Sequence, residues 1–270
     1  MKSILRVLAV AVCFVMMLSL FACGKDKADV DTTTLDTKVT TVEDVAVTDA
    51  ENTSVPDNKV SAEGTVVGAS YFDDAAFVGD SVSLRLTYYA MGNGKLGNAQ
   101  FFTAGSLGAN NALWEVSDES VHPSFRGEKM LIEDCVAQSG VKKVCIMLGM
   151  NDLGLYGIDA TVESYKTLVM NIIEKSPEVE IVVQSMTPMT STSYLTSDGL
   201  NNDVIREYNI ELLKLCEEQN WKFMDVASVM YDEDGNLIRE YCSDPDEMGV
   251  HFEDVGCDAW VEYLYKNIAN

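Results

Sequence analysis

From Tyr71 onward the chain alternates between two rhythms of apolar residues. Short, nearly continuous apolar runs occupy 75–79, 99–103, 143–148, 179–183 and 222–225. Such runs are expected of strands covered on both faces. Between them lie segments with apolar positions three and four apart, which predict helices over 82–91, 127–139, 161–175, 203–219 and 255–268. Asp203 reads as the N-cap of the fourth helix, and Pro177 sits just past the end of the third. Strand and helix taking turns at this length predict an α/β fold with a five-stranded parallel sheet and helices on both of its faces. In such sheets ligands bind at the carboxyl ends of the strands. The pattern shows neither an internal repeat nor a second domain.

The first 70 residues break this rhythm. Lys2 and Arg6 precede an apolar run over 8–21, which is short for a membrane-spanning helix and suits a secretory signal. It ends in Leu20-Phe21-Ala22-Cys23-Gly24, which resembles a bacterial lipobox, with Cys23 as the lipidated residue. The plainer alternative is a signal peptide cleaved near Ala22. Residues 24–70 are rich in Thr, Asp and Val and contain no aromatic residue, so they cannot assemble a core and read as a disordered tether. The expected organisation is a lipoprotein signal peptide (1–22), a tether (23–70) and one folded domain (71–270). It implies an extracytoplasmic protein held to the bacterial cell membrane by its N-terminal lipid.

Charge and cysteine usage narrow the function classes. A net charge of −24 over 270 residues repels phosphate backbones and excludes nucleic acid as the natural partner. The acidity reads as solubility, and a monomer is expected. Of seven cysteines, Cys13 leaves with the signal and Cys23 is taken by lipid. Cys135, Cys145, Cys216, Cys242 and Cys257 have no CxxC spacing, so neither a zinc site nor a disulfide framework is indicated. Cys145 lies in an apolar run and reads as a core residue. Cys242 and Cys257 flank His251, and the spacing leaves both a disulfide and two free thiols open. Neither a metal nor an organic cofactor is expected.

The candidate chemistry sits where apolar strands end. The first strand runs into Gly79-Asp80-Ser81, which places the Ser81 hydroxyl at a strand-to-helix turn beside the helix N-terminus, where backbone N–H groups favour a developing oxyanion. Read alone, Asp80 or Ser81 is simply a helix cap. The third strand runs into Gly149-Met150-Asn151-Asp152, where Asn151 offers a side-chain donor or only a turn. Only two histidines occur. His251, on the loop before the last helix, is the natural base for a serine. His122, before Pro123, reads as a surface residue.

Together, Gly79-Asp80-Ser81, Gly149-x-Asn151-Asp152 and His251 resemble, in order and position, the serine, GxND and histidine blocks of the SGNH, or GDSL, lipase and acylhydrolase family. The resemblance spans Tyr71 to the C-terminus. It implies a flavodoxin-like α/β/α sandwich and ester hydrolysis through an acyl-enzyme, with Ser81 as nucleophile and His251 as base. It also implies an oxyanion hole of the Ser81 N–H, a loop glycine N–H and the Asn151 side chain. The loop glycine is expected to be Gly108, with Gly105 second. The family places an aspartate three residues before the histidine, where this chain has Met248. The same loop offers Asp244, Asp246 and Glu247. Asp246 is the favoured triad acid, with a Ser-His dyad oriented by a backbone carbonyl as the alternative. The expected substrate is an O-acyl ester, above all an O-acetyl ester, on carbohydrate. The other readings are a lipase, lysophospholipase or thioesterase, an acyltransferase, and a non-catalytic carbohydrate-binding relative.

Overall fold

The computed structural model describes residues 65–269. The signal segment, Cys23 and the tether as far as residue 64 lie outside the described residues. In chain order the elements are β1 (Ala75–Gly79), α1 (Ser81–Asn93), β2 (Gln100–Thr103), the short β3 (Ser124–Phe125) and β4 (Glu128–Lys129), and α2 (Ile132–Ser139). They continue with β5 (Lys143–Met147), α3 (Leu153–Lys175), β6 (Glu180–Gln184), α4 (Asn202–Gln219), β7 (Lys222–Met224) and α5 (Asp254–Asn267).

The five expected strands form one sheet in the order β2-β1-β5-β6-β7, and every neighbouring pair is parallel. All five residues of β1 are buried, and so are Val144, Cys145, Ile146 and Met147 of β5, because helices cover both faces. Helix α3 packs between α2 and α4, while α1 packs against α5. The fold is thus the three-layer α/β/α sandwich. Phe77 stacks with Phe101 at 5.7 Å, and the largest core side chains include Trp260, Tyr165, Tyr208 and Phe252.

Four sequence readings need adjustment. The helix expected over 127–139 begins only at Ile132. Arg126 and Gly127, both at positive φ, turn an antiparallel β3–β4 hairpin in front of it. Helix α3 starts at Leu153, eight residues ahead of the expected 161, and Gly157 breaks it with φ 75° and ψ 176°. The cap of α4 is Asn201, whose side chain accepts from the Asp203 and Val204 N–H groups at 3.0 Å each, and Asp203 falls in the first turn. Finally, the packed chain begins before Tyr71, since the Val67 N–H donates to the Tyr265 carbonyl at 2.8 Å. All five downstream cysteines are buried free thiols, so Cys242 and Cys257 are not bridged. No helix among the described residues is long and apolar enough to cross a membrane.

Candidate active site

At the carboxyl end of β1 the chain turns abruptly into α1. A Cβ on Gly79 would lie 2.1 Å from Ser83 Oγ and 2.8 Å from the Met147 carbonyl, so only glycine lets β1, β5 and the first turn of α1 close together. Asp80 is the N-cap, and its carboxylate accepts the Val82 N–H at 2.9 Å. The capping reading and the nucleophile reading therefore apply to adjacent residues. Asp80 takes the cap and leaves the Ser81 hydroxyl to another partner. Burial pushes the Asp80 carboxyl up to about 6, despite the backbone donors that oppose the shift.

That partner is His251. Its Nε2 lies 3.0 Å from Ser81 Oγ, and its Nδ1 lies 2.7 Å from Asp244 Oδ2. With Asp244 ionised, this geometry sets the tautomer: Nδ1–H donates to the carboxylate, and Nε2 accepts from the serine hydroxyl. Its hydrogen bond to the Asp244 carboxylate raises the His251 pKa above its ordinary value, outweighing partial burial. Burial acts to raise Asp244, but its bonds with His251 and Cys242 prevail and hold it below the usual carboxylate value.

The carboxylate that meets His251 is Asp244, and Asp246, the expected partner, lies elsewhere. Asp246 stands on the exposed part of the loop, where its carboxylate pairs with the Arg239 guanidinium. Asp244 reaches the imidazole from seven residues upstream because the loop folds back onto it. Its Oδ1 accepts the Val250 and His251 N–H groups at 3.2 Å each, and its carbonyl accepts the Gly249 N–H at 2.9 Å. Gly249 sits at φ +67°, and a Cβ there would meet Thr190 Oγ1 at 2.2 Å. The loop is held from outside by the segment after β6. The Thr190 N–H donates to the Gly249 carbonyl at 2.9 Å, and the Tyr194 N–H donates to the Glu247 carbonyl at 2.9 Å. Ser193 Oγ donates to the carbonyl of Met248, three residues before His251.

Cys242 is a contact the sequence did not suggest. Its buried thiol donates to Asp244 Oδ1 at 3.2 Å, so the carboxylate is gripped on both oxygens. Burial pushes this thiol up to about 12, which keeps it a donor.

Asn151 ends up beside the serine turn. Its Nδ2 donates to the Leu107 carbonyl at 3.0 Å and lies 3.5 Å from Asp80 Oδ2, which leaves its second N–H weakly engaged. Gly149, at φ +140°, is required because a Cβ would lie 2.6 Å from the Tyr208 ring. Asp152, which read as half of a turn, is buried and accepts the Ala109 and Asn110 N–H groups at 2.8 and 3.0 Å. It ties the loop after β2 to the start of α3, and burial raises its pKa against those two donors. The same loop departs from expectation at Gly108. The Gly108 N–H donates to Asn111 Oδ1 at 2.8 Å, while Asn111 Nδ2 donates to the Ser106 carbonyl at 2.9 Å. The loop thus uses this donor internally, and Gly105 is exposed.

His122 is not on the surface. It is buried, with Nδ1 2.9 Å from Ser120 Oγ and Nε2 3.2 Å from the Ala112 carbonyl, so it braces the loop rather than facing the serine. Among the described residues no group of three or more His, Cys, Asp or Glu side chains is arranged to hold a metal.

The model of the GDSL-like lipase/acylhydrolase family matches residues 125–259, half of the chain, including Asn151, Asp244 and His251. The chain belongs to this family. Solved GDSL-fold structures overlay the same domain. A candidate acylhydrolase from Bacteroides fragilis is 16% identical at a TM-score of 0.56, covering 72% of this chain and 85% of its own. A GDSL-like lipase from Bacteroides thetaiotaomicron is 14% identical at 0.53, covering 74% and 89%. An acetyl xylan esterase is 14% identical at 0.50, covering 71% and 97%. At these identities the likeness is one of fold. No curated protein matches the chain. As a member of the GDSL-like acylhydrolases, the protein is an ester hydrolase.

Proposed function

We propose that this GDSL-like acylhydrolase is a lipid-anchored, extracytoplasmic serine esterase that removes O-acyl groups, acetyl above all, from carbohydrate. The observation that carries the chemistry is the unbroken line from Ser81 Oγ through His251 to Asp244, with contacts of 3.0 and 2.7 Å. In this reading His251 Nε2 takes the Ser81 proton as the oxygen attacks the ester carbonyl. Asp244 holds the imidazole in place and stabilises its cation. The oxyanion is met by the Ser81 N–H, in the first turn of α1 where no intrahelical partner exists, and by the Asn151 side chain. His251 then protonates the leaving alcohol and activates water to release the acid. The carbohydrate reading follows from the anchored location, where surface and imported glycans are at hand. The acidic surface also disfavours anionic lipid.

The test is a panel of p-nitrophenyl esters of increasing acyl length, together with acetate release from acetylated polysaccharide. Acetyl esters are expected to be the best substrates. A steep preference for long acyl chains would replace this reading with a lipase. Asn151→Ala is expected to lower kcat about 10²–10³-fold while the serine still labels with a fluorophosphonate, because one oxyanion donor is lost and the nucleophile is retained. For the anchor, the wild-type protein is expected to partition into detergent and Cys23→Ala into the aqueous phase. Equal partitioning of the two would remove the lipid from the proposal.

A further inference from the structure

Four exposed large side chains stand on the loops and the first turn of α3 around the site. Trp114 is 54% exposed, Leu155 75%, Tyr156 43% and Tyr194 66%. They are far apart in sequence, but a chain of contacts joins their loops. Trp114 follows the loop whose Ala109 and Asn110 N–H groups are held by Asp152. Leu155 and Tyr156 lie on the first turn after Asp152, and their N–H groups both donate to its carbonyl at 2.9 Å. A Cβ on Gly199 would lie 3.4 Å from Gly154 Cα, so the segment after β6 abuts that turn. The same segment carries Tyr194, whose N–H is bonded to Glu247 on the histidine loop. The exposed residues therefore border the edge of the sheet that carries Asn151 and His251. Other exposed apolar side chains stand along the helices, Tyr88 and Met91 on α1, Met170 on α3 and Ile210 on α4, whereas these four stand on segments that contacts join beside the site, where an apolar rim would meet a ligand.

The chemistry around Tyr156 selects the class of ligand. Tyr156, Asp159, Asp198, Gly199 and Glu207 line an open hollow of about 400 Å³. Three carboxylates there repel phosphate and carboxylate groups and accept hydrogen bonds from hydroxyls. Flat aromatic faces with polar tips suit a ligand that is apolar on one side and wet on the other. A neutral sugar chain has both: C–H faces to lie on the rings and hydroxyls to reach the carboxylates.

We infer that Trp114, Tyr156 and Tyr194 form an aromatic rim that holds a neutral polysaccharide across the site, so that the enzyme deacylates a polymer rather than a free small ester. The inference rests on the carbohydrate ester reading above. Its test compares kcat/KM on acetylated xylan with kcat/KM on p-nitrophenyl acetate for the full chain. In the triple variant Trp114→Ala, Tyr156→Ala, Tyr194→Ala the ratio of the two is expected to fall about tenfold or more, mainly through a higher KM on the polymer. Tyr88→Ala, which removes an exposed aromatic from α1, is the control and leaves the ratio as it was. A wild-type enzyme that deacetylates xylan, with an unchanged ratio in the triple variant, overturns the rim and leaves the esterase reading standing. Failure of the wild type on xylan, with p-nitrophenyl acetate still cleaved, overturns both the rim and the carbohydrate reading. Binding of the wild type to phosphatidylcholine vesicles that the triple variant loses would assign the rim to a lipid surface and overturn it as well.

Discussion

Replacement of Ser81 by alanine is expected to lower kcat by at least about 10⁴-fold and to abolish both the acyl-enzyme burst and fluorophosphonate labelling. The fold is expected to survive, because the cap of α1 comes from Asp80 and not from Ser81. A melting temperature near that of wild type, with turnover gone, separates loss of the nucleophile from loss of structure. Labelling that persists in the variant would transfer the nucleophile to another residue.

The second large effect lies in the histidine loop. Asp244→Asn is expected to cut kcat about 10⁴-fold, since an amide cannot hold the imidazole in the tautomer that leaves Nε2 free to accept the serine proton. The pH–rate profile carries a second signature. Asp244 raises the His251 pKa, and activity requires the neutral imidazole, so wild-type activity falls as pH drops through that raised value. Without the carboxylate, the residual activity is expected to have its acid limb at lower pH. Asp246→Asn removes only a surface pair with Arg239, where each side chain is more than half exposed, and is expected to leave turnover within about twofold. The opposite ranking of these two variants would return the acid to Asp246.

This contrast shows what the sequence made legible. Ser81, Asn151 and His251 were readable because each follows an apolar strand or precedes a helix at the edge where parallel sheets bind ligands. The acid was not readable, because counting residues back from His251 assumes an extended loop. Here Gly249 at positive φ folds the loop so that the seventh residue back, not the fifth, meets the imidazole. The supports of Asp244, namely Thr190, Ser193 and Cys242, come from a distant segment or from a thiol whose spacing left a disulfide with Cys257 equally open. The start of α3 is hidden in the sequence because Gly154 and Gly157 interrupt the apolar period. The β3–β4 hairpin carries no clear turn signal because its turn places Arg126 at φ 54°, a conformation more usual for Asn or Gly. His122 read as exposed from its polar neighbours, but the loop it braces closes over it.

The buried cap of α1 has a consequence for the conditions under which the protein endures. Asp80 titrates near 6 in the folded chain against an ordinary 3.8, so its charged form opposes folding at neutral pH by on the order of 3 kcal/mol. That opposition is complete above about pH 6 and fades as acid protonates the group, down to its unfolded value. His251, raised in the folded state, works in the same direction, since its protonated form is favoured by folding. The self-repulsion of a chain with net charge −24 also eases as carboxylates protonate. Catalysis needs the reverse, a deprotonated His251. Thermal endurance should therefore peak in mildly acidic medium, while turnover peaks nearer neutrality or above it. An enzyme stored at its working pH is held away from its most durable state.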